Sequence, residues 1–190
     1  MDFWQTIQTR RNVRAFTGKT VAAEDLDRII EAARRTPSAS NRQLWAFVVC
    51  THPSVIAGLS ETWQGASWVG KAPAAIALLN PKDPDGDGGK RMREIMQYDL
   101  GQVTMAIMLA ATSLGIGSGQ AGVMDQAKAQ EVLGFPSDWY CRWVVALGYP
   151  ADRPLRPIRN PNRKQTGELV HHNQWGLADP GGGGASPEKS

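Results

Sequence analysis

A chain of 190 residues with 42% hydrophobic and 21% charged side chains has the make-up of one globular domain, able to bury about two-thirds of its unfolded surface. A net charge of +3 is too small to argue for a nucleic-acid partner. No apolar run reaches the roughly 20 residues that span a bilayer, since the longest, 100–114, is broken by Gly101, Gln102, Thr104, Thr112 and Ser113.

In chain order, Met1 leads into a polar amphipathic stretch with no apolar segment of the signal-peptide kind. Phe3, Trp4 and Ile7 share one face of a first helix that runs into Arg10 and Arg11. A second helix is set by Leu26, Ile29, Ile30 and Ala33, with Glu24 and Asp25 in its first turn; Pro37 ends it near Thr36. Residues 45–51 read as a strand, and Val55, Ile56, Leu59 and Trp63 as a short helix. The apolar run 74–79 predicts a strand buried on both faces. A long helix over about 92–114 follows, with small residues Gly101, Ala106, Ala110 and Ala111 that permit close approach. Asp125 is the expected N-cap of a helix that Gly134 ends, and 140–147 is the last core strand. Cys50 and Cys141 both lie in apolar strand-like runs, which points to buried thiols in a reducing compartment and a cytoplasmic location.

The C-terminal part reads differently. Residues 151–175 are rich in proline and lack a period, yet carry Leu169, Val170 and Trp175. That composition predicts an extended arm needing a surface, for which a partner subunit is a natural candidate. From Gly176 onward the glycine- and proline-rich tail, 176–190, is expected to be disordered.

Four features carry candidate chemistry. Residues 10–16 (Arg-Arg-Asn-Val-Arg-Ala-Phe) place three arginines within five positions, and guanidinium forks match phosphate. Residues 37–45 (Pro-Ser-Ala-Ser-Asn-Arg-Gln-Leu-Trp) form a donor-rich loop between a helix and a strand. Residues 114–123 (Leu-Gly-Ile-Gly-Ser-Gly-Gln-Ala-Gly-Val) are a glycine-rich stretch that opens with a Leu-Gly-x-Gly turn after the long helix. The fourth is Asn162-Arg163-Lys164, followed by Glu168-Leu169-Val170-His171. Basic residues also gather at Arg153, Arg156 and Arg159; composition alone reads both basic clusters as solvated faces.

In this order and at this spacing, the four features resemble the nitroreductase family of FMN-dependent oxidoreductases, over roughly residues 3–175. The resemblance implies an α+β fold, with a mostly antiparallel central sheet flanked by helices, in an intertwined homodimer with FMN sites at the interface. Residues 1–175 would form the FMN-binding domain, with 155–175 as the arm on the partner. Arg10, Arg11 and Asn12 would hold the phosphate and ribityl chain, joined by Arg163 and Lys164. Arg14 would lie near the flavin pyrimidine, where a cation stabilises the charge left by reduction. Pro37, Ser38, Ser40 and Asn41 would approach the ring from the other subunit. Gln120 belongs to the same cofactor set, and the backbone amides near Gly122 and Val123 would face the N5/O4 edge. FMN would be tightly bound, NAD(P)H would be the co-substrate, and no catalytic side chain is expected because the flavin carries the chemistry.

Three motifs match other chemistry in letters only. Residues 117–122 fit the dinucleotide fingerprint, but an apolar helix precedes them where a strand is needed; backbone approaching a planar ligand accounts for the glycines. Asp83, Asp85, Asp87 and Glu94 fit a calcium loop, yet a strand and Pro81 stand where the entering helix belongs. His171 and His172 have no third ligand nearby, so no metal is expected.

The leading reading is therefore an NAD(P)H-dependent flavin enzyme that reduces a nitro compound, a quinone or a similar small electron-poor acceptor. Trp68 is a candidate lining residue of the acceptor pocket. The alternatives are a reductive dehalogenase or flavin-fragmenting enzyme of the same fold, and a flavin-binding protein without turnover. No nucleic acid or membrane partner is expected.

Overall fold

Asp2 opens helix α1 (Phe3–Thr9) by accepting the Gln5 backbone N–H at 2.8 Å, while the Gln5 side chain reaches back to the Asp2 amide. The face this helix turns inward carries Thr6 and Thr9; Phe3, Trp4 and Ile7 are exposed. The computed structural model describes residues 1–87 and 90–176. The chain divides into two units, Met1–Pro157 and Ile158–Ser190.

Within the first unit, α2 (Ala23–Arg34) buries Leu26, Ile29 and Ala33, as their spacing predicts, and stops before Pro37. Strand β1 (Ala46–Cys50), helix α3 (Pro53–Ser60), a 3-10 segment (Gln64–Lys71) and strand β2 (Ala74–Pro81) follow. Helix α4 (Lys90–Ser113) buries one stripe: Met92, Met96, Leu100, Val103, Ile107 and Ala111 recur every three or four residues. Strand β3 (Gly117–Gly122), α5 (Gln126–Leu133) and β4 (Trp139–Gly148) complete the unit. Asp125 caps α5 by accepting the Lys128 N–H at 2.9 Å, and Gly134 closes it at φ +69°, where a side chain would be strained.

The sheet is antiparallel throughout, in the order β1-β2-β4-β3. Its centre is buried on both faces, so side-chain alternation divides β2 between two cores. Ala75, Ala77 and Leu79 pack with Ile56, Leu59 and Val69 on one face. Ala74, Ile76 and Leu78 pack against Ile29, Leu100 and Ile107 on the other. The sheet is thus held between α2 and α4 on one side and α3, α5 and the 3-10 segment on the other. Truncating a buried Leu78 or Ile76 to alanine in such a layer costs about 2–5 kcal/mol.

The structure adds one element and corrects one expectation. Directly after the turn at Leu114 and Gly115, residues 117–122 form an edge strand that their glycines did not announce. The arm carries a short helix, α6 (Thr166–Leu169), in the second unit, opened by a reciprocal cap between Gln165 and Glu168. Periodicity misses an element of one turn.

The acidic loop follows β2, with Asp83 accepting the Asp87 N–H and Asp85 paired with Arg42 at 2.6 Å; Gly88 lies outside the described residues, as does the expected disordered tail after Gly176. No helix of the described residues is long and apolar enough to cross a membrane.

Candidate functional site

Strand β3 is nearly all glycine for a steric reason. After α1 the chain runs as a strap beside it: Val13 N–H donates to Ser118 O at 2.8 Å, and Asn12 bridges Ser118. A Cβ on Gly117 would lie 2.7 Å from Val13 Cγ2. A Cβ on Gly119 would run into the Val13 carbonyl oxygen and sit 2.8 Å from the Trp68 ring. Glycines 117 and 119 therefore admit the chain's own strap and Trp68, not a planar ligand as the sequence reading held.

The strap covers only the first half of the strand. Val123 N–H donates to Arg142 O at 3.3 Å, and Gly122 pairs with Trp143 across the ladder. Antiparallel ladders alternate, so the N–H groups of Gly122 and Gln120 point away from β4, toward the open edge. Of the two amides expected to face a ligand, the one at Val123 is already engaged. Gln120 is the exposed residue of this otherwise buried strand.

Beside that edge is a pocket of about 410 Å³, within the size range of small-molecule sites. Arg10 and Asn12 line it from the end of α1, Gln120 from β3, and Trp143 from β4. Helix α4 supplies Gln97, Gly101, Thr104, Met105 and Met108, a stripe at three- and four-residue spacing. Sequence reasoning singled out Gly101 for close packing but missed its neighbours, whose helical spacing was the available signal. Arginine is the one charged side-chain type in this lining. The lining offers one guanidinium, from Arg10, and the side-chain amides of Asn12, Gln97 and Gln120 as donors, and Met105, Met108 and Trp143 as apolar surface for a planar ring.

Arg11 is half-buried. Its Nη2 donates to the Arg156 carbonyl at 2.7 Å, and its Nε is buried without a partner. Arg14 is exposed, with its guanidinium carbon 5.8 Å from the Trp68 ring centroid. Trp68 donates from Nε1 to Gly65 O at 3.0 Å and packs near Phe16, centroid to centroid 6.4 Å.

The donor-rich loop is built against α4 elsewhere. Asp99, which is 6% exposed, accepts the Ala39 N–H at 3.2 Å. Ser38 Oγ accepts the Gln43 N–H at 3.0 Å, and the Gln43 side chain donates to Asn41. Ser40, Asn41 and Gln43 have φ of 51°, 54° and 51°, left-handed positions that side chains rarely hold without such bracing. Pro37 lines a groove of about 750 Å³ with Tyr98, Met105 and other residues of α2 and α4, and Pro37 and Ser38 line a second of about 550 Å³. Within one chain, then, Arg10, Asn12 and Gln120 come together, while Pro37 and Ser38 line separate depressions.

Arg163 and Lys164 lie in the second unit, both exposed; Arg163 Nη1 donates to the Asn162 carbonyl. There too, the His171 ring lies against Trp175, centroid to centroid 4.2 Å and tilted by 44°. The cysteines are free and buried: burial pushes the Cys50 thiol up to about 11 and the Cys141 thiol up to about 12.

Comparison with known proteins adds to this geometry. The family model described as Nitroreductase family matches residues 7–62 and 59–149. A protein of Archaeoglobus fulgidus provisionally named NADH dehydrogenase/NAD(P)H nitroreductase is 31% identical, over 89% of this chain and 96% of its own. The Bacillus subtilis FMN reductase [NAD(P)H] is 26% identical, over 90% of this chain and 72% of its own. Among solved structures, a nitroreductase family protein from Clostridium difficile 630 superposes with a TM-score of 0.77 at 26% identity, covering 92% of this chain and 99% of that one.

Proposed function

We propose that this chain, which belongs to the nitroreductase family, is an NAD(P)H-dependent flavin oxidoreductase that delivers a hydride to a nitro compound, a quinone or a similar electron-poor acceptor. One observation carries the reading: Arg10 and Asn12 share a pocket with Gln120, beside a strand edge whose amides β4 does not use. FMN bound there would supply two-electron carriage between nicotinamide and acceptor. Arg10, Arg11 and Asn12 are the proposed phosphate and ribityl ligands; the buried, unpartnered Arg11 Nε is the kind of donor that such an anion satisfies. Arg163 and Lys164 are proposed as further phosphate ligands from the motif they carry. Gln120 and the Gly122 amide would donate along the ring edge, and Val123 would contribute packing. Arg14 is the proposed cation at the pyrimidine end. No residue is asked to move a proton, since water can protonate the product.

The working unit is proposed to be a homodimer in which Pro37, Ser38, Ser40 and Asn41 meet the partner's cofactor. Two features support it: the groove along α2 and α4 with Tyr98 and Met105 exposed, and the bare Phe3, Trp4 and Ile7 face of α1. The buried free thiols fit a cytoplasmic location.

The test is the colour of the purified protein and its response to nicotinamide without oxygen. A yellow protein bleached by NADH or NADPH and recoloured by a quinone is expected. A colourless protein that takes up no added FMN would overturn the reading.

A further inference from the structure

Arginine is denser along the strap after α1 and the segment it pairs with than one phosphate requires. The strap after α1 runs antiparallel to the segment after β4: Thr17 N–H donates to Tyr149 O at 2.8 Å, Ala151 N–H to Ala15 O at 3.0 Å, and Phe16 bridges Pro150. Farther along, the Arg11 guanidinium closes on the Arg156 carbonyl at 2.7 Å. This pairing sets Arg153 and Arg156 alongside Arg10, Arg11 and Arg14, from the opposite end of the sequence. Arg14, Arg153 and Arg156 are all exposed. The ion pair inside the group, Arg153 with Asp152 at 3.4 Å, joins two exposed side chains and holds them weakly. A phosphate monoester brings about −2. Set against Asp152 and one such phosphate, five guanidiniums remain net positive, and a guanidinium fork matches the oxygens of a second phosphate.

We propose that Arg153 and Arg156 form a second phosphate site that takes the 2′-phosphate of the reduced dinucleotide, so that this chain uses NADPH in preference to NADH. The inference rests on the flavin-oxidoreductase reading above and names its reductant. NADPH differs from NADH by that one phosphate, so the ratio of their efficiencies reads the site directly. Neither Arg153 nor Arg156 is among the proposed FMN ligands, and replacing the Arg156 side chain leaves the carbonyl that Arg11 uses.

The experiment uses the flavin-loaded full-length protein. Measured are kcat/KM for NADPH and NADH with a saturating quinone, in the parent, Arg153→Ala, Arg156→Ala and Arg153→Lys, with flavin content checked in each. NADPH should be favoured by about tenfold or more. Each alanine should lower the NADPH:NADH ratio by about tenfold through KM, the scale of one hydrogen bond to a charged group. The lysine variant should lose less, and added salt should compress the ratio. Adenosine 2′,5′-bisphosphate should inhibit more strongly than adenosine 5′-diphosphate. A flavin-loaded enzyme with a ratio near unity, or alanine variants that leave the ratio where it was, would overturn the proposal. So would salt-sensitive binding of a DNA oligonucleotide without nicotinamide preference, which would assign the cluster to nucleic acid. A protein that holds no flavin, or oxidises neither nicotinamide, would instead overturn the functional reading on which this one rests.

Discussion

Replacing Gly119 with alanine should loosen the strap and the cofactor site together. The added methyl would run into the Val13 carbonyl oxygen and sit 2.8 and 2.9 Å from two carbons of the Trp68 ring. Ordinary carbon contacts lie near 3.5–4.0 Å, so about 1 Å of movement is needed. Neither neighbour moves freely. Val13 is 3% exposed and donates to Ser118 O at 2.8 Å; Trp68 is tied to Gly65 O at 3.0 Å. Overpacking of this kind costs about 1–3 kcal/mol, and loss of the strap's hydrogen bond adds about 0.5–1.5. Taken together, about 2–4 kcal/mol should lower the melting temperature by roughly 5–15 °C in a chain of this size. Because Asn12 and Arg14 flank Val13, flavin retention should fall with it. Gly18→Ala is the control: a Cβ there meets nothing within 4 Å, and about 0.4–1 kcal/mol of stabilisation is the usual result at a compatible site. Melting curves and flavin content of the two variants decide the matter. A Gly119→Ala protein that melts with the parent and keeps its flavin would refute the steric argument.

Arg10→Ala or Arg163→Ala should each weaken FMN binding by about 1.5–3 kcal/mol, read as flavin fluorescence against added apoprotein; unchanged affinity in both would remove these residues from the site. Cys50 and Cys141 should resist Ellman's reagent in the native state and react on unfolding, because burial holds the thiols up to about 11 and about 12. A thiol whose folded value is raised adds stability that is present below its unfolded value, about 8.5, and is lost as pH rises through the folded one. The melting temperature should therefore decline in alkali, and substitution of both cysteines by alanine should flatten that decline. Asp99→Leu should leave the partly buried Ala39 N–H without its acceptor at a cost of about 1–3 kcal/mol, whereas Asp99→Asn, which keeps an oxygen there, should recover most of it; equal melting temperatures for the two variants would show that Asp99 does not brace the loop.

What was legible in the sequence followed strong periods and strong punctuation. Leu26, Ile29 and Ala33 fixed α2, and Asp125 with Gly134 bounded α5, because a cap and a left-handed stop are local chemistry. The apolar run in β2 announced burial on both faces without revealing its antiparallel partners, which depend on distant residues. Residues 117–122 hid their strand, since glycine has no β propensity to show and the side chains filling its place come from Val13 and Trp68. In the candidate site, arginine density pointed to Arg10, Arg11 and Arg14. It could not reveal the antiparallel pairing that brings the segment carrying Arg153 and Arg156 beside the strap, or the stripe of α4 that lines the pocket.

The same limit explains α1. Its sequence shows an apolar face in Phe3, Trp4 and Ile7, and a helix at a protein's edge ordinarily turns such a face inward. Here Thr6 and Thr9 are buried instead: Thr6 Oγ1 donates to Asp2 O at 2.8 Å, which lets its hydroxyl leave water. The period identifies which residues share a face, and packing alone decides what that face meets. Phe3 and Trp4 already stack edge to face at 5.7 Å, so the exposed pair is an ordered surface before anything covers it. Two aromatic rings and an isoleucine held in place in water lose little conformational entropy on burial. Such a surface supports the homodimer proposed above, because covering it costs little further ordering.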